Sequence, residues 1–217
     1  MLHYQTIGET LKSYLNVLMD SAAFGSFRLV GGTALSLQLG HRTSVDIDLF
    51  SDAAYGSIDF DALDDFVESI FPFCDHLKLA NQAFGKSYLI GKDWGNAIKL
   101  DVFYTDKFIQ PSFIEDNIRM ATIEEIIAMK MDVVQRGGRK KDFWDLHELL
   151  PRYNVADMLL LHLERYPHAH DENLILENMI DFKDADDDFD PVCLRGKYWE
   201  FIKEDLEDAV SAFRKAV

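Results

Sequence analysis

Cysteine is scarce in this chain: Cys74 and Cys193 are the two among 217 residues. They make neither a zinc nor a redox spacing, which leads to the expectation of a reduced, cytoplasmic protein. Long apolar runs are missing as well. None approaches the length of a bilayer span, so no membrane partner is expected. Residues Met1 to Asp20 lack a basic start followed by an apolar core, so no signal peptide is expected. The histidines show no zinc spacing, and no internal repeat is evident. The acid-rich stretch Asp181 to Asp190 lacks the turn glycine and closing glutamate of a calcium loop. Positive charge is short: 22 Lys and Arg against 38 Asp and Glu leave a formal charge of −16. Such a surface repels nucleic acid over most of its area. That excludes a DNA-coating role, gives no expectation of sequence-specific DNA binding, and confines any RNA contact to a local basic patch.

What is present is organised around residues 27–51. Phe27 to Val30 is a short apolar run that stops at Gly31-Gly32, as a buried strand stops at a tight turn. Glycine there lets a ligand approach the backbone closely. Thr33 is placed to cap the helix that follows, and Gly40 to end it. The N-terminus of such a helix presents free N–H groups to a phosphate. Val45 to Phe50 then alternates, with Val45, Ile47 and Leu49 on one face and Ser44, Asp46 and Asp48 on the other. Two carboxylates on one strand face repel unless a cation screens them, and oxygen ligands of this kind suit Mg²⁺ held together with a substrate's phosphates.

The turn Gly31-Gly32-Thr33-Ala34-Leu35 followed by His41-Arg42-Thr43-Ser44-Val45-Asp46-Ile47-Asp48-Leu49-Phe50 resembles the DNA polymerase β-type nucleotidyltransferases, and within them the AbiEii/AbiGii toxin family. The resemblance implies an α/β fold: a small mixed sheet with helices packed on it, then a C-terminal helical region. The expected division is a nucleotidyltransferase core over residues 1–118 and a helical domain over 119–217 that closes the nucleotide cleft. It implies Mg²⁺ held by Asp46, Asp48 and a third acid on a neighbouring strand, for which Asp101 is the matching position. An edge-strand acid near a hairpin is the other reading of Asp101. Two metals need at least three carboxylates besides the triphosphate. Gly31, Gly32, Thr33, Arg42 and Ser44 are implied at the nucleotide. The chemistry implied is transfer of a nucleotide from an NTP to an acceptor, an RNA such as a tRNA end, by a toxin with a cognate antitoxin, in a toxin–antitoxin or phage-defence system. A protein or small cationic acceptor, which the acidity of the chain would suit, or a non-catalytic nucleotide-binding module, are the alternatives.

Along the rest of the chain, Ile7 to Met19 has helical periodicity, and a second helix opens at Ser57-Ile58-Asp59-Phe60 and ends before Pro72. Strands are expected over 76–80, 87–91 and 96–104, with Asp93-Trp94-Gly95 as the hairpin turn, and a linker over 105–120. Thr122-Ile123-Glu124-Glu125 reads as a capping box. In the helix that follows, Lys130 stands on the apolar stripe. It either snorkels at the stripe's edge or reaches a phosphate. Its replacement by alanine is expected to spare the fold. Arg136 to Lys141 is the one dense basic stretch, expected to flank the mouth of the cleft if RNA is the acceptor. The pattern Lys130 … Arg136 … Asp142 … Asp145 resembles the same family's second signature, which implies activity for Lys130 and Asp142, a weaker role for Asp145, and added positive charge from Arg136. As a first-turn acid, Asp142 would also be favoured by the helix dipole alone.

Overall fold

The structure is a computed structural model that describes residues 1–77 and 84–216. Its centre is a strand pair dictated by alternation. Strand β1 (Arg28–Leu29) and strand β2 (Ile47–Ser51) run antiparallel, with Ile47 and Leu49 fully buried. Burying each of those side chains contributes about 1.5–3 kcal/mol. Val45 was expected on the same face, but it is 69% exposed, because the strand starts two residues later.

Between them lies helix α2 (Gly31–Leu39), which begins at the first glycine. Thr33 therefore sits inside its first turn and does not cap it; the N-cap is Val30, whose apolar side chain cannot accept a hydrogen bond. Gly40 ends α2 in the left-handed conformation, as expected, with its N–H donating to the Ser36 carbonyl.

Among the described residues the sheet has seven strands, in the order β3-β4-β5-β2-β1-β7-β6. Strand β3 is Phe73–Leu77, β4 Gly85–Gly91 and β5 Ile98–Tyr104. The expected strand over 76–80 thus begins three residues earlier, and residues 78–80 lie outside the described residues. Asp93 caps a short helical turn at Trp94–Asn96 where the hairpin was expected. β5 pairs antiparallel with β4 and parallel with β2.

The stretch read as a linker holds two strands, β6 (Phe113–Glu115) and β7 (Ile118–Met120). Asp116 and Asn117, both left-handed, join them in a two-residue hairpin, and β7 then pairs with β1. The expected division after residue 118 falls within β7.

Helix α1 (Glu9–Asp20) packs on β7 through its Leu11, Leu15 and Leu18 stripe. Helix α3 (Phe60–Ile70), capped by Asp59, covers β3 and β4. The C-terminal half is helical: α4 (Ile123–Gln135), α5 (Lys140–Leu149), α6 (Val155–Arg165), α7 (Glu172–Asn178), a short α8 (Lys183–Asp186) and α9 (Trp199–Ala216). α4 is the hub, touching α2, α5, α6 and α7. Half of the expected capping box at its start is present: Thr122 accepts from the Glu125 N–H. The Glu125 carboxylate turns away to accept from the Ile109 and Gln110 amides and to meet the buried guanidinium of Arg165.

Candidate functional site

The register of β2 and β5 decides the site. Asp48 stands opposite Asp101 in the parallel pair, and Asp46 lies just before β2. All three line a cleft of about 450 Å³ between the sheet and α4–α5. Gly31 and Gly32 line it too, so the first turn of α2, uncapped by any side chain, opens onto the acids. Gly31 has φ +66°, and a Cβ there would come within 2.7 Å of Asp48 Oδ2. The glycine thus serves both the turn and the space that Asp48 occupies.

Burial, and then the charges of Asp101 and Asp46, push the Asp48 carboxyl up to about 6. Cations stand on its neighbours. Lys99 Nζ lies 2.5 Å from Asp101 Oδ2, Ser87 donates to Asp101 Oδ1 at 2.5 Å, and Lys141 Nζ is 3.9 Å from Asp46 Oδ2. Among the described residues no three His, Cys, Asp or Glu side chains are drawn together tightly enough to hold a metal ion. The acids share one cleft; Asp101 and Asp46 each lean on a cation, and Asp48 makes no ion pair among the described residues. An all-oxygen donor set, with a central carboxyl whose charge is held unfavourable by burial and its acid neighbours, nevertheless fits a hard divalent cation.

The second signature forms a buried charge network behind this cleft. Lys130 Nζ lies 2.5 Å from Asp142 Oδ1 and 2.8 Å from Asp145 Oδ2. Arg42 grips Asp145 with Nε at 2.6 Å and Nη2 at 2.8 Å, and His41 Nε2 is 2.7 Å from the same carboxylate. Asp142 also accepts from the Arg139 N–H at the start of α5. Burial alone would depress the Lys130 ammonium; Asp145 and Asp142 overcome it and hold it above its ordinary value. Burial likewise works against the Asp145 carboxylate, yet Lys130, Arg42 and the His41 hydrogen bond keep it well below the usual range.

Lys130 is therefore no snorkelling lysine: it is 6% exposed and lines the cleft, with two of its three hydrogens spent on carboxylates.

Three residues expected at the nucleotide do not line this cleft. Thr33 is buried, donates to the Asp46 carbonyl at 2.5 Å and lies 2.8 Å from the Ser44 hydroxyl. It ties the helix to the acid-bearing segment. Arg42 is buried against Gly32 and committed to Asp145, and its Nη1 donates to the Thr43 carbonyl. Ser44 and Arg42 belong to a neighbouring hollow that also takes in Asp46.

Arg136, Arg139 and Lys141 do line the cleft, with Arg136 Nη2 2.5 Å from Asp132 Oδ2. Lys140 does not. It is buried by the acid-rich stretch, where it donates to the Asp188 carbonyl at 2.6 Å and reaches Asp190 Oδ1 at 3.1 Å. Sequence reasoning passed over Lys99 as a partner of Asp101. The signal was there, since residues two apart on a strand share a face.

Comparison with known proteins gives the family and the fold. The model of the AbiEii family, nucleotidyl transferase toxins of a type IV toxin–antitoxin system, matches residues 13–217. The chain belongs to this family. An uncharacterized protein from Aquifex aeolicus is 27% identical over 195 residues, covering 86% of this chain and 87% of that one. Among solved structures, an H. pylori protein described as a candidate nucleotidyltransferase is similar with a TM-score of 0.61 at 21% identity, covering 96% of this chain and 93% of that chain. MenT4, a nucleotidyltransferase toxin from Mycobacterium tuberculosis, is similar with a TM-score of 0.53 at 17% identity, covering 91% and 84%. At such identities the structures share the nucleotidyltransferase fold. Among the described residues no helix is long and apolar enough to cross a membrane.

Proposed function

We propose that this AbiEii-family protein transfers a nucleotide from an NTP to an RNA acceptor in the cytoplasm, with Mg²⁺ as cofactor, as the toxin of a pair with a cognate antitoxin or a phage-defence system. The observation that carries the reading is the register of Asp48 with Asp101 beside the open first turn of α2. Asp46, Asp48 and Asp101 would hold Mg²⁺, which supplies positive charge to the phosphates and lowers the pKa of the acceptor hydroxyl.

The chain's own groups do the rest. The amides of Gly31 and Gly32 would hold phosphate oxygens at the dipole-positive end of α2. Arg136, Arg139 and Lys141 would neutralise the triphosphate, steer it into an otherwise acidic molecule, and stabilise the pyrophosphate that leaves as the acceptor oxygen bonds to the α-phosphate and the α–β phosphoanhydride breaks. Lys130 would offer its remaining hydrogen to a phosphate, while Asp142 and Asp145 fix its position. Asp101 would accept the proton of the acceptor hydroxyl in exchange for its hydrogen bond from Lys99.

Incubation with each NTP labelled at the α-phosphate, with Mg²⁺ and either total RNA or total protein, tests the reading. Label on RNA supports it. Label only on protein or on a small cationic molecule moves the acceptor to another class and leaves the donor site as described. Absence of any transfer overturns it.

A further inference from the structure

The cleft continues into a second cavity of about 650 Å³, with Thr105, Asp132 and Tyr166 lining both. The character of the two is opposite. Arg136, Arg139 and Lys141 stand at the first. The second is walled by Tyr55, Phe84 and Tyr104, whose rings form a contiguous group with Tyr55 at 5.4 Å from each of the other two. Tyr55 is 63% exposed and Phe84 52% exposed, so both rings present a face to the cavity.

Carboxylates complete this wall. Asp132 is held by Arg136, and Asp52 by Lys107 at 3.7 Å and by the Phe108 amide. The Asp106 carboxylate, exposed at the rim, makes no hydrogen bond or ion pair among the described residues.

We propose that this aromatic cavity is the nucleobase subsite of the donor NTP and that it selects bases carrying an exocyclic amine. The inference rests on the donor reading above. A nucleotide laid across the three acids has one highly charged end and one flat, uncharged end. The cleft sorts them: phosphates to the arginines and lysine, the base to the tyrosines. Aromatic faces stack on any base, so stacking supplies affinity without choice. Choice comes from Asp106. A carboxylate accepts hydrogen bonds and donates none. Adenine, cytosine and guanine each present an amino group to it. Uracil offers one N–H between two carbonyl oxygens, and those oxygens meet the carboxylate as like dipoles.

Titration calorimetry with ATP, GTP, CTP and UTP in Mg²⁺, without acceptor, tests this. UTP is expected to bind roughly tenfold more weakly than the other three. Tyr55→Ala should weaken every NTP roughly tenfold and leave inorganic tripolyphosphate, which lacks a base, unchanged. Asp106→Ala should shrink the penalty on UTP toward none. Tyr55 and Asp106 are exposed, so neither change threatens the fold. Binding of all four NTPs alike by the parent, with both variants silent, overturns the subsite while the donor site stands. Equal weakening of tripolyphosphate and NTP in Tyr55→Ala overturns it too. If no NTP binds the parent at all, the donor reading and this inference fall together.

Discussion

Asp48 on β2 and Asp101 on β5 are register partners on adjacent parallel strands, so two carboxylates share a cleft floor where burial and the charge of Asp101 work against the charge of Asp48. Lys99 and Lys141 soften this repulsion. A site under such strain is built for a cation to relieve.

That strain predicts a pH dependence. Burial and the neighbouring acids push the Asp48 carboxyl up to about 6 in the folded chain, against an ordinary value of 3.8. The folded state therefore binds more protons between those values, and stability falls as pH rises through that window. Two units correspond to about 3 kcal/mol as an upper figure. In chelator, Asp48→Asn should remove this contribution: it should be about 2–3 kcal/mol more stable than the parent at pH 8 and nearly equal to it at pH 4. Urea unfolding at the two pH values checks it.

Lys130 gives the second prediction, and here the structure reverses what the sequence suggested. Lys130→Ala leaves Asp142 without its buried cation and Asp145 with Arg42 and His41 alone. Breaking a buried pair from one side costs about 3–5 kcal/mol. The variant should show a clear loss of thermal stability, read by calorimetry. Unchanged melting would mean that the network contributes little to the fold.

Neighbouring lysines should behave differently. Lys140 is buried and ties α5 to the acid-rich stretch, whereas Arg139 and Lys141 line the cleft. Lys140→Ala should cost roughly 2 kcal/mol of stability, the range for a hydrogen-bonded charge. Arg139→Ala and Lys141→Ala should leave melting unchanged and weaken RNA labelling. The rest of this acidic chain offers RNA few further cations, so the salt dependence of RNA binding should be shallow, about −0.7 in log–log slope per phosphate on a single strand.

Gly31→Ala makes the fourth case. A left-handed φ of +66° costs an L residue roughly 1–2 kcal/mol, and its methyl would push against Asp48. Transfer should drop at least tenfold while the circular dichroism spectrum stays that of the parent.

Local signals carried the legible part of this molecule. The alternation of Ile47 and Leu49, the glycines that bound α2 and the Thr122 cap of α4 each depend on neighbours a few residues away. What escaped was short or distant. β6 and β7 have three residues each, and their turn is Asp116-Asn117 where Asn-Gly would have announced a hairpin. The pairing of Arg42 with Asp145 spans 103 residues, and that of Lys140 with Asp188 spans 48. No periodicity reports such contacts. For that reason Arg42 and Lys140 looked free for phosphates until the fold spent them on carboxylates and carbonyls.

The most direct measurement compares the parent with Asp48→Asn and Asp101→Asn in one labelling reaction: total RNA, Mg²⁺ and each NTP carrying label at the α-phosphate. The account predicts covalent label on RNA with the parent, none with chelator, and a loss of at least a hundredfold in both variants while they remain folded. RNA labelled as well by either folded variant, or label that persists without a divalent cation, would contradict it.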